Sequence, residues 1–340
     1  MLDYRHLYRL TDSNGIVQFS RLSDPDPGSG YTLDDNARAL IVAAHMENGH
    51  HLAFTYASWL SQAQRYDGTW SNLQALDHDI RALDSEDSVG RALLACAIGM
   101  SSPWPDVQSL CRSMFNRHLP RTMRFRSPRA VAYTLTALCK VKKPLSRDHL
   151  HQIKHLSSFL LNLYKQNRKK GWHWFENIIT YSNGILPQSL LCVYARTGDK
   201  SALTTAHDTL NFLCDILFKS GYLSIIGNQG WYVRGKKVAR FDQQPVDAAS
   251  IAFACLEGYQ IIGEQHYLDL ARRAHRWYHG DNVHGLSLYD RNTGGCFDAL
   301  TPEGVNLNQG AESLLCYLLC EQHVARYIHK NQPAAMEQSS

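Results

Sequence analysis

The sequence predicts an all-α protein in which six helical hairpins close into a double ring, the (α/α)6 toroid, with a small β-hairpin in one loop of its working face. Three observations lead there. Six times a short polar or glycine-bearing segment runs into a stretch rich in Ala and Leu, and the six starts lie roughly 45 to 65 residues apart, about the length of two helices with their connections. The stretches that follow these starts are apolar nearly all round, whereas the stretches between them carry one apolar stripe. The connections into the apolar stretches are long and rich in turn residues.

The six starts are Asp34-Asp35-Asn36, Asp84 to Asp87, Ser127-Pro128-Arg129, Leu186-Pro187-Gln188, Gln244-Pro245-Val246-Asp247 and Asn308-Gln309-Gly310-Ala311-Glu312. Ser and Asp cap exposed N–H groups, and Pro suits the first helical turn. Beyond them, Ala39 to Ala44 and Leu93 to Ile98 offer no wet face, which describes helices buried on every side, an inner ring. The intervening stretches, His51–Gln64, Val107–Phe115, Leu150–Leu163, Leu203–Phe218 and Tyr267–His279, repeat apolar residues at three and four and form the outer ring. Within Leu150–Leu163 the stripe is Leu150, Ile153, Leu156, Phe159, Leu160 and Leu163. Loops such as Asp24–Gly30, Arg65–Gly68, Gly227–Gly230 and Asn292–Gly304 collect on one face, where binding and catalysis gather on a rigid scaffold. In one of them, Trp231 to Phe241, two short β-type runs flank Arg234-Gly235-Lys236-Lys237 and predict a hairpin at the mouth. Residues 1–330 form one toroid, and 331–340 read as a frayed tail.

Composition narrows the chemistry. With 44% hydrophobic and 19% charged residues the chain is an ordinary globular protein, and a formal net charge of +4 lacks the continuous basic field of a nucleic-acid groove. The start has no apolar stretch behind basic residues, and no span of about 18 apolar residues occurs, so a cytoplasmic location without membrane insertion is expected. Nine Cys without a CxxC pair, most among apolar helical residues, read as buried reduced thiols. The His151 and His155 pair sits on an outer helix without a HExxH glutamate, and His50-His51 lacks a chelating spacing, so no metal is expected. No phosphate-binding glycine motif follows a strand, and no cofactor is expected.

A carboxylate at a helix N-terminus has an ordinary explanation as a cap and a complement to the dipole. Asp34, Asp35, Asp84, Glu86 and Asp87 are more acids than two caps use, and the ring aims them, with Asp247 and Glu312, into one funnel. Acids gathered in a polar cavity push one another's pKa values apart and take acid and base roles. Trp70, Trp172, Trp174, Tyr181, Trp231, Tyr232 and Tyr289 lie in the same loops, where packing between helix ends competes with stacking on a sugar ring. Asn36, Arg38, Asn72, Arg91, Arg129, Gln188, Asn228, Gln229, Gln243, Gln244, Asn306, Asn308 and Gln309 supply amides and guanidinium groups for hydroxyls. Aromatic faces, amides and acids together describe a carbohydrate site.

The motifs Gly30–Leu40, Asp84–Leu93, Arg126–Tyr133, Trp172–Glu176, Gly227–Trp231, Phe241–Asp247, and Gly294–Asp298 with Gly304–Ser313 resemble those of a bacterial family of (α/α)6 proteins. Its members are fused to, or encoded beside, glycosyltransferases and β-1,2-mannoside phosphorylases. The resemblance spans about residues 5 to 325. It implies a sugar-active toroid in functional association with a glycosyltransferase, and the same motifs bring Glu176, Asp242 and Asp298 into the candidate site. The Asp34-Asp35 pair is also similar, at the level of fold, to the paired aspartates of toroidal endo-mannanases.

The expected activity is a glycoside hydrolase on a mannose- or glucose-containing oligosaccharide, with catalytic carboxyls among Asp34, Asp35, Asp87, Asp247 and Glu312, Asp35 and Asp87 foremost. Trp174, Trp231 and Tyr232 are the expected platforms, with Trp70 in the same set. Hydroxyl or water contacts fall to Asn36, Arg38, Glu86, Arg91, Arg129, Glu176, Gln188, Asn228, Gln229, Asp242, Gln244, Asp298, Asn308 and Gln309. A sugar epimerase or isomerase would need a general base, for which His173 is the one histidine inside a site-like motif. A non-catalytic glycan-binding partner of a glycosyltransferase would keep the aromatic faces without a carboxyl pair.

Overall fold

The computed structural model describes the chain except residues 1, 75–79, 82–84, 143 and 330–340. Asp84 and the 331–340 tail therefore lie outside the described residues. Twelve α-helices occur among those described: α1 (Arg5–Leu10), α2 (Leu33–Ala44), α3 (His50–Ala63), α4 (Glu86–Gly99), α5 (Pro105–His118), α6 (Pro128–Lys140), α7 (Arg147–Asn167), α8 (Ile185–Thr197), α9 (Lys200–Leu217), α10 (Pro245–Ile262), α11 (Gln265–Arg276) and α12 (Ala311–His329). The even-numbered helices pack in sequence, α2 on α4, α4 on α6, α6 on α8, α8 on α10, α10 on α12, and α12 returns to α2. That closure makes the inner ring. The odd helices α3, α5, α7, α9 and α11 back it from outside, and α1 packs on α12. The predicted toroid is the observed fold, and each expected inner start coincides with a helix start to within a few residues. Helix α1, six residues long, is too short to show a period in sequence.

The local chemistry explains these boundaries. Thr32, Ser85 and Ser127 accept hydrogen bonds from the backbone N–H groups of Asp35, Ser88 and Ala130 and cap α2, α4 and α6. Pro128 and Pro245 occupy first-turn positions that need no donor. Helices α8 and α10 end on Gly198 and Gly263 in the left-handed conformation, at φ 76° and 86°. Between the rings lies one continuous hydrophobic cluster, including Leu40, Leu93, Leu135, Leu190, Ile251 and Leu315 from the inner helices and Leu60, Phe115, Leu156, Leu210 and Leu268 from the outer ones. The nine cysteines are free thiols and eight are buried; Cys214 and Cys255 Sγ lie 3.8 Å apart. No helix among the described residues is long and apolar enough to cross a membrane.

Short antiparallel ribbons decorate the face at the inner N-termini. They are β1 (Phe19–Arg21) with β2 (Asp24–Asp26), β3 (Tyr31–Thr32) with β4 (Leu73–Gln74) and β5 (Ile80–Arg81), β6 (Ile178–Ile179) with β7 (Tyr232–Val233), β8 (Tyr289–Asp290) with β9 (Gly295–Cys296), and β10 (Ala299–Thr301) with β11 (Gly304–Asn306). The Trp231–Phe241 segment turns back on itself, with Ala239 N–H donating to the Trp231 carbonyl at 2.9 Å. Its strand, β7, nevertheless takes its ladder partner from Ile178–Ile179. Two-residue ladders carry too little alternation for a sequence to choose a partner.

The inner helices approach closely through small residues. A Cβ on Gly90 would stand 2.9 Å from the Ala130 carbonyl oxygen and 3.0 Å from Ala130 Cα, backbone of α6 that cannot rotate away. Gly90→Leu is expected to destabilise the protein by roughly 1–3 kcal/mol, the cost of overpacking, measured as an earlier denaturant or thermal transition. A transition unchanged from the parent would show that α4 and α6 are not packed this tightly.

Candidate active site

Four of the six inner helices bring their leading turns to one cavity of about 480 Å³. Its wall includes Thr32, Asp34, Asp35 and Arg38 from the start of α2, Ser85 and Ser88 from α4, Gln244 and Pro245 at α10, and Gly310, Glu312 and Ser313 at α12. Gln18, Phe19, Asn72, Leu73 and Asp298 come from the ribbons and loops above. The volume lies in the range of small-molecule sites.

Arg38 organises the floor. Its Nη1 donates to Asp35 Oδ1 at 3.1 Å, its Nη2 to Glu312 Oε2 at 2.7 Å, and Nη2 also lies 3.9 Å from Asp34 Oδ2. Arg91 Nη1 donates to Asp34 Oδ2 at 2.8 Å while its guanidinium covers the Tyr133 ring at 4.8 Å. Three carboxyls from α2 and α12 thus share two buried guanidinium groups. Position in a helical first turn supports this crowding, because the N-terminal dipole favours negative charge.

The crowding separates the acids. Burial pushes the Asp35 carboxyl up to about 7, against the pull of Arg38 and of the Thr32 hydroxyl that donates to its Oδ2 at 2.6 Å, with Glu312 and Asp34 adding to the rise. At Asp34 burial pulls upward too, but Arg91 and then Arg38 outweigh it and hold the group below the usual carboxylate value. Two neighbours in sequence, one protonated near neutrality and one charged, are the arrangement acid and base chemistry needs. Glu312 has the most open side chain of the three, 44% exposed. Asp298 is raised by burial, despite accepting from Ser313 Oγ at 2.5 Å and Gly310 N–H at 2.8 Å.

Asp87 and Asp247 take other places. Both oxygens of Asp87 are occupied, by the Ser127 and Tyr181 hydroxyls, so it ties α4 to α6 and to the loop before α8 and does not line the cavity. Asp247 Oδ1 accepts from Ser182 N–H at 2.6 Å, and its buried Oδ2 has no hydrogen-bond partner among the described residues. Burial pushes Asp247 up to about 7, over the opposing Ser182 bond and the Arg129 charge. Glu86 accepts from the N–H groups of Arg126 and Ser127 at 2.7 and 2.6 Å, which fixes the entry into α6. Arg129 is spent on the 176–183 loop, donating to Glu176, Thr180, Asn183 and the Tyr181 carbonyl.

Several expected contacts are structural. Trp174 is wholly buried, and Trp70 is buried with its Nε1 donating to the Leu60 carbonyl at 2.8 Å, so neither offers a face to a ligand. Trp231 leans toward Tyr181 at 6.2 Å, and Tyr232 packs on Trp172 at 5.2 Å, both half-buried outside the cavity wall. Asn36 receives the Ile16 N–H and donates to the Thr32 carbonyl; Gln309 receives the Thr293 hydroxyl and donates to Asp290. Asn308 receives the Leu22 N–H, while Asn228 and Gln229 close on Asp242 within their own loop. Gln188 lines a second, largely apolar cavity inside the inner ring, bordered by Arg38 and Arg91. His173 lies beside Phe212 of the outer helix α9 and does not line the cavity.

The aromatic face that does border the acids is Phe19, 54% exposed. Sequence reasoning missed it, together with Gln18, Leu73 and the hydroxyls of Thr32, Ser85, Ser88 and Ser313. The alternation of Phe19, Ser20 and Arg21, exposed, buried, exposed, spans only three residues. The caps were visible as Ser and Thr before helices, but not that their hydroxyls face a cavity.

No family model and no curated protein matches the chain. Solved structures do match over nearly its full length. A sugar epimerase from a ruminal bacterium superposes with TM-score 0.73 at 11% identity, covering 95% of this chain and 96% of its own. The cellobiose 2-epimerase of Spirochaeta thermophila gives 0.71 at 15%, covering 94% and 92%. The GH76 α-mannanase BT2949 of Bacteroides thetaiotaomicron gives 0.61 at 14%, covering 88% and 87%. At these identities the likeness is one of fold, and it is to toroids that carry carbohydrate chemistry.

The Asp247 arrangement makes a signed prediction. Its folded value lies above that of an unfolded aspartate, so the folded protein holds the extra proton between about pH 4 and pH 7, and the stability that proton contributes is lost as pH rises through 7. Asp247→Asn keeps a carbonyl for Ser182 N–H and removes the charge. It is expected to stabilise the protein by about 1–3 kcal/mol at pH 8, with the gain fading toward pH 4, in denaturation curves at the two pH values. A loss of stability at pH 8 would mean that the buried charge is balanced.

Proposed function

We propose that the chain is a glycoside hydrolase acting on a mannose- or glucose-containing oligosaccharide. The observation that carries this reading is the pair of opposed carboxyl environments on one guanidinium: Asp35 protonated near neutrality on one arm of Arg38, Glu312 open to the cavity on the other. Asp35 donates its proton to the glycosidic oxygen. The carboxylate it leaves is received by Arg38 Nη1, already at 3.1 Å, so the charge formed on the enzyme is met without rearrangement. Glu312 activates water or attacks the anomeric carbon. Asp34, held charged by Arg91, keeps the guanidinium pair in place and keeps the proton on Asp35. Glu312 here replaces Asp87 as the partner of Asp35, because Asp87 is consumed by two hydroxyl bonds. Phe19 offers the exposed ring for the C–H face of a sugar, and Asn72 and Gln244 offer amides.

The fold likeness to sugar epimerases favours a second reading, epimerisation or isomerisation of a reducing sugar. Such a reaction commonly uses a histidine base. Among the described residues lining the cavity there is none.

Incubation with a panel of manno- and gluco-oligosaccharides is expected to release shorter sugars. Asp35→Asn and Glu312→Gln should each lower the rate about 10²–10⁴-fold. Activity should fall above about pH 7 as Asp35 loses its proton. A product of unchanged mass with altered stereochemistry would establish the epimerase reading, and equal turnover by parent and both variants would remove these residues from the chemistry.

A further inference from the structure

The side of α12 turned away from the acid-lined cavity carries an independent cluster. Glu321 lies about two and a half turns beyond Glu312, roughly 13 Å further along the helix and on its opposite face. Its Oε1 accepts from His275 Nε2 at 2.8 Å and His279 Nε2 at 2.9 Å. His275 is in the last turn of α11 and His279 follows four residues later, with the two ring centroids 4.8 Å apart. Among the described residues, no other trio of His, Cys, Asp or Glu brings its donor atoms within 4.8 Å of one another. His275 and Glu321 are nearly buried, while His279 is 38% exposed and opens the cluster to solvent.

We propose that His275, His279 and Glu321 bind a divalent transition cation of the Zn²⁺ type. Two imidazoles and one carboxylate with an open fourth position form a three-ligand donor set suited to zinc, and imidazole donors disfavour Mg²⁺ and Ca²⁺. Metal–ligand bonds of about 2.0–2.1 Å in a tetrahedron set donor atoms about 3.3 Å apart. The two Glu321–His contacts, 2.8 and 2.9 Å, therefore open by about half an ångström while the two imidazole donors, within 4.8 Å of each other, draw together, and the cation takes the place of the shared protons. Water fills the fourth position on the His279 side. His275 Nδ1 is buried and has no hydrogen-bond partner among the described residues, so this ligand lacks there the outer partner that is ordinarily worth 10–100-fold in affinity. Binding is accordingly micromolar. Since His275 belongs to the outer ring and Glu321 to the inner, the ion clips the two rings together.

The test is calorimetric titration of EDTA-treated, buffer-exchanged full-length protein with ZnCl2, alongside thermal melting with and without the metal. The expected result is one micromolar site, a raised melting temperature, and no response to MgCl2. His279→Ala and Glu321→Gln, each checked for native circular dichroism, should weaken binding at least tenfold and abolish the thermal shift. His279 is part-exposed, so its variant carries the test if Glu321→Gln fails to fold. Absence of Zn²⁺ binding by the parent, or binding by His279→Ala equal to the parent's, would overturn the proposal.

Discussion

The structure depends on how six helix ends can bury charge together. Each inner helix presents unpaired N–H groups at its start, and the residues placed there include carboxylates and arginines that would be costly to bury alone. They are buried as a belt. Glu312 of α12 meets Arg38 of α2; Asp34 of α2 meets Arg91 of α4; Asp87 of α4 meets Ser127 at α6. Arg129 of α6 holds the loop before α8, and Ser182 of that loop donates to Asp247 of α10. The circuit closes through Gln243, paired with Leu300, and through Asp298, which accepts from Gly310 and Ser313 at the start of α12. Breaking one member strands its neighbour, which explains why so many site-like residues prove to be structural.

The same belt creates the chemical asymmetry. Two guanidinium groups serve three carboxyls on the floor, and geometry divides them unequally. Asp34 lies within reach of both arginines and stays charged, whereas Asp35 meets one arginine and a hydroxyl in a more buried position. Adjacent residues with the same side chain thereby acquire opposite proton affinities, a consequence of α2 turning successive side chains by about 100° into different surroundings. On α12 the same helical rotation separates Glu312, facing the cavity, from Glu321, facing α11.

The toroid was legible because its signal is long. Inner helices such as Ala39 to Ala44 and the striped Leu150–Leu163 extend the relevant period over several turns, and capping residues mark their starts. Most of the ribbons were not legible, since two or three residues per strand leave no period to read; the expected Trp231–Phe241 segment does turn back on itself, yet its Tyr232–Val233 strand pairs with Ile178–Ile179. Of the site, Asp34, Asp35, Arg38, Gln244 and Glu312 were readable as polar groups at helix starts, Asp298 entered only through the resembled motif, and all six meet in the cavity. Trp70, Trp174, Arg129 and Gln309 looked equivalent in sequence and are turned inward.

By itself the sequence determined the alternation of buried and half-buried helices, the face on which their N-termini gather, and the residue types delivered to that face. Periodicity and capping are local properties and survive reading one residue at a time. Only the tertiary structure decided which acids share an arginine, which aromatic ring is left open, and that His275, His279 and Glu321 come together at all. Those outcomes rest on contacts such as Arg38–Glu312, Asp34–Arg91 and His275–Glu321, between residues tens to hundreds of positions apart, and on burial, which a side chain acquires from its neighbours and does not carry in its own chemistry.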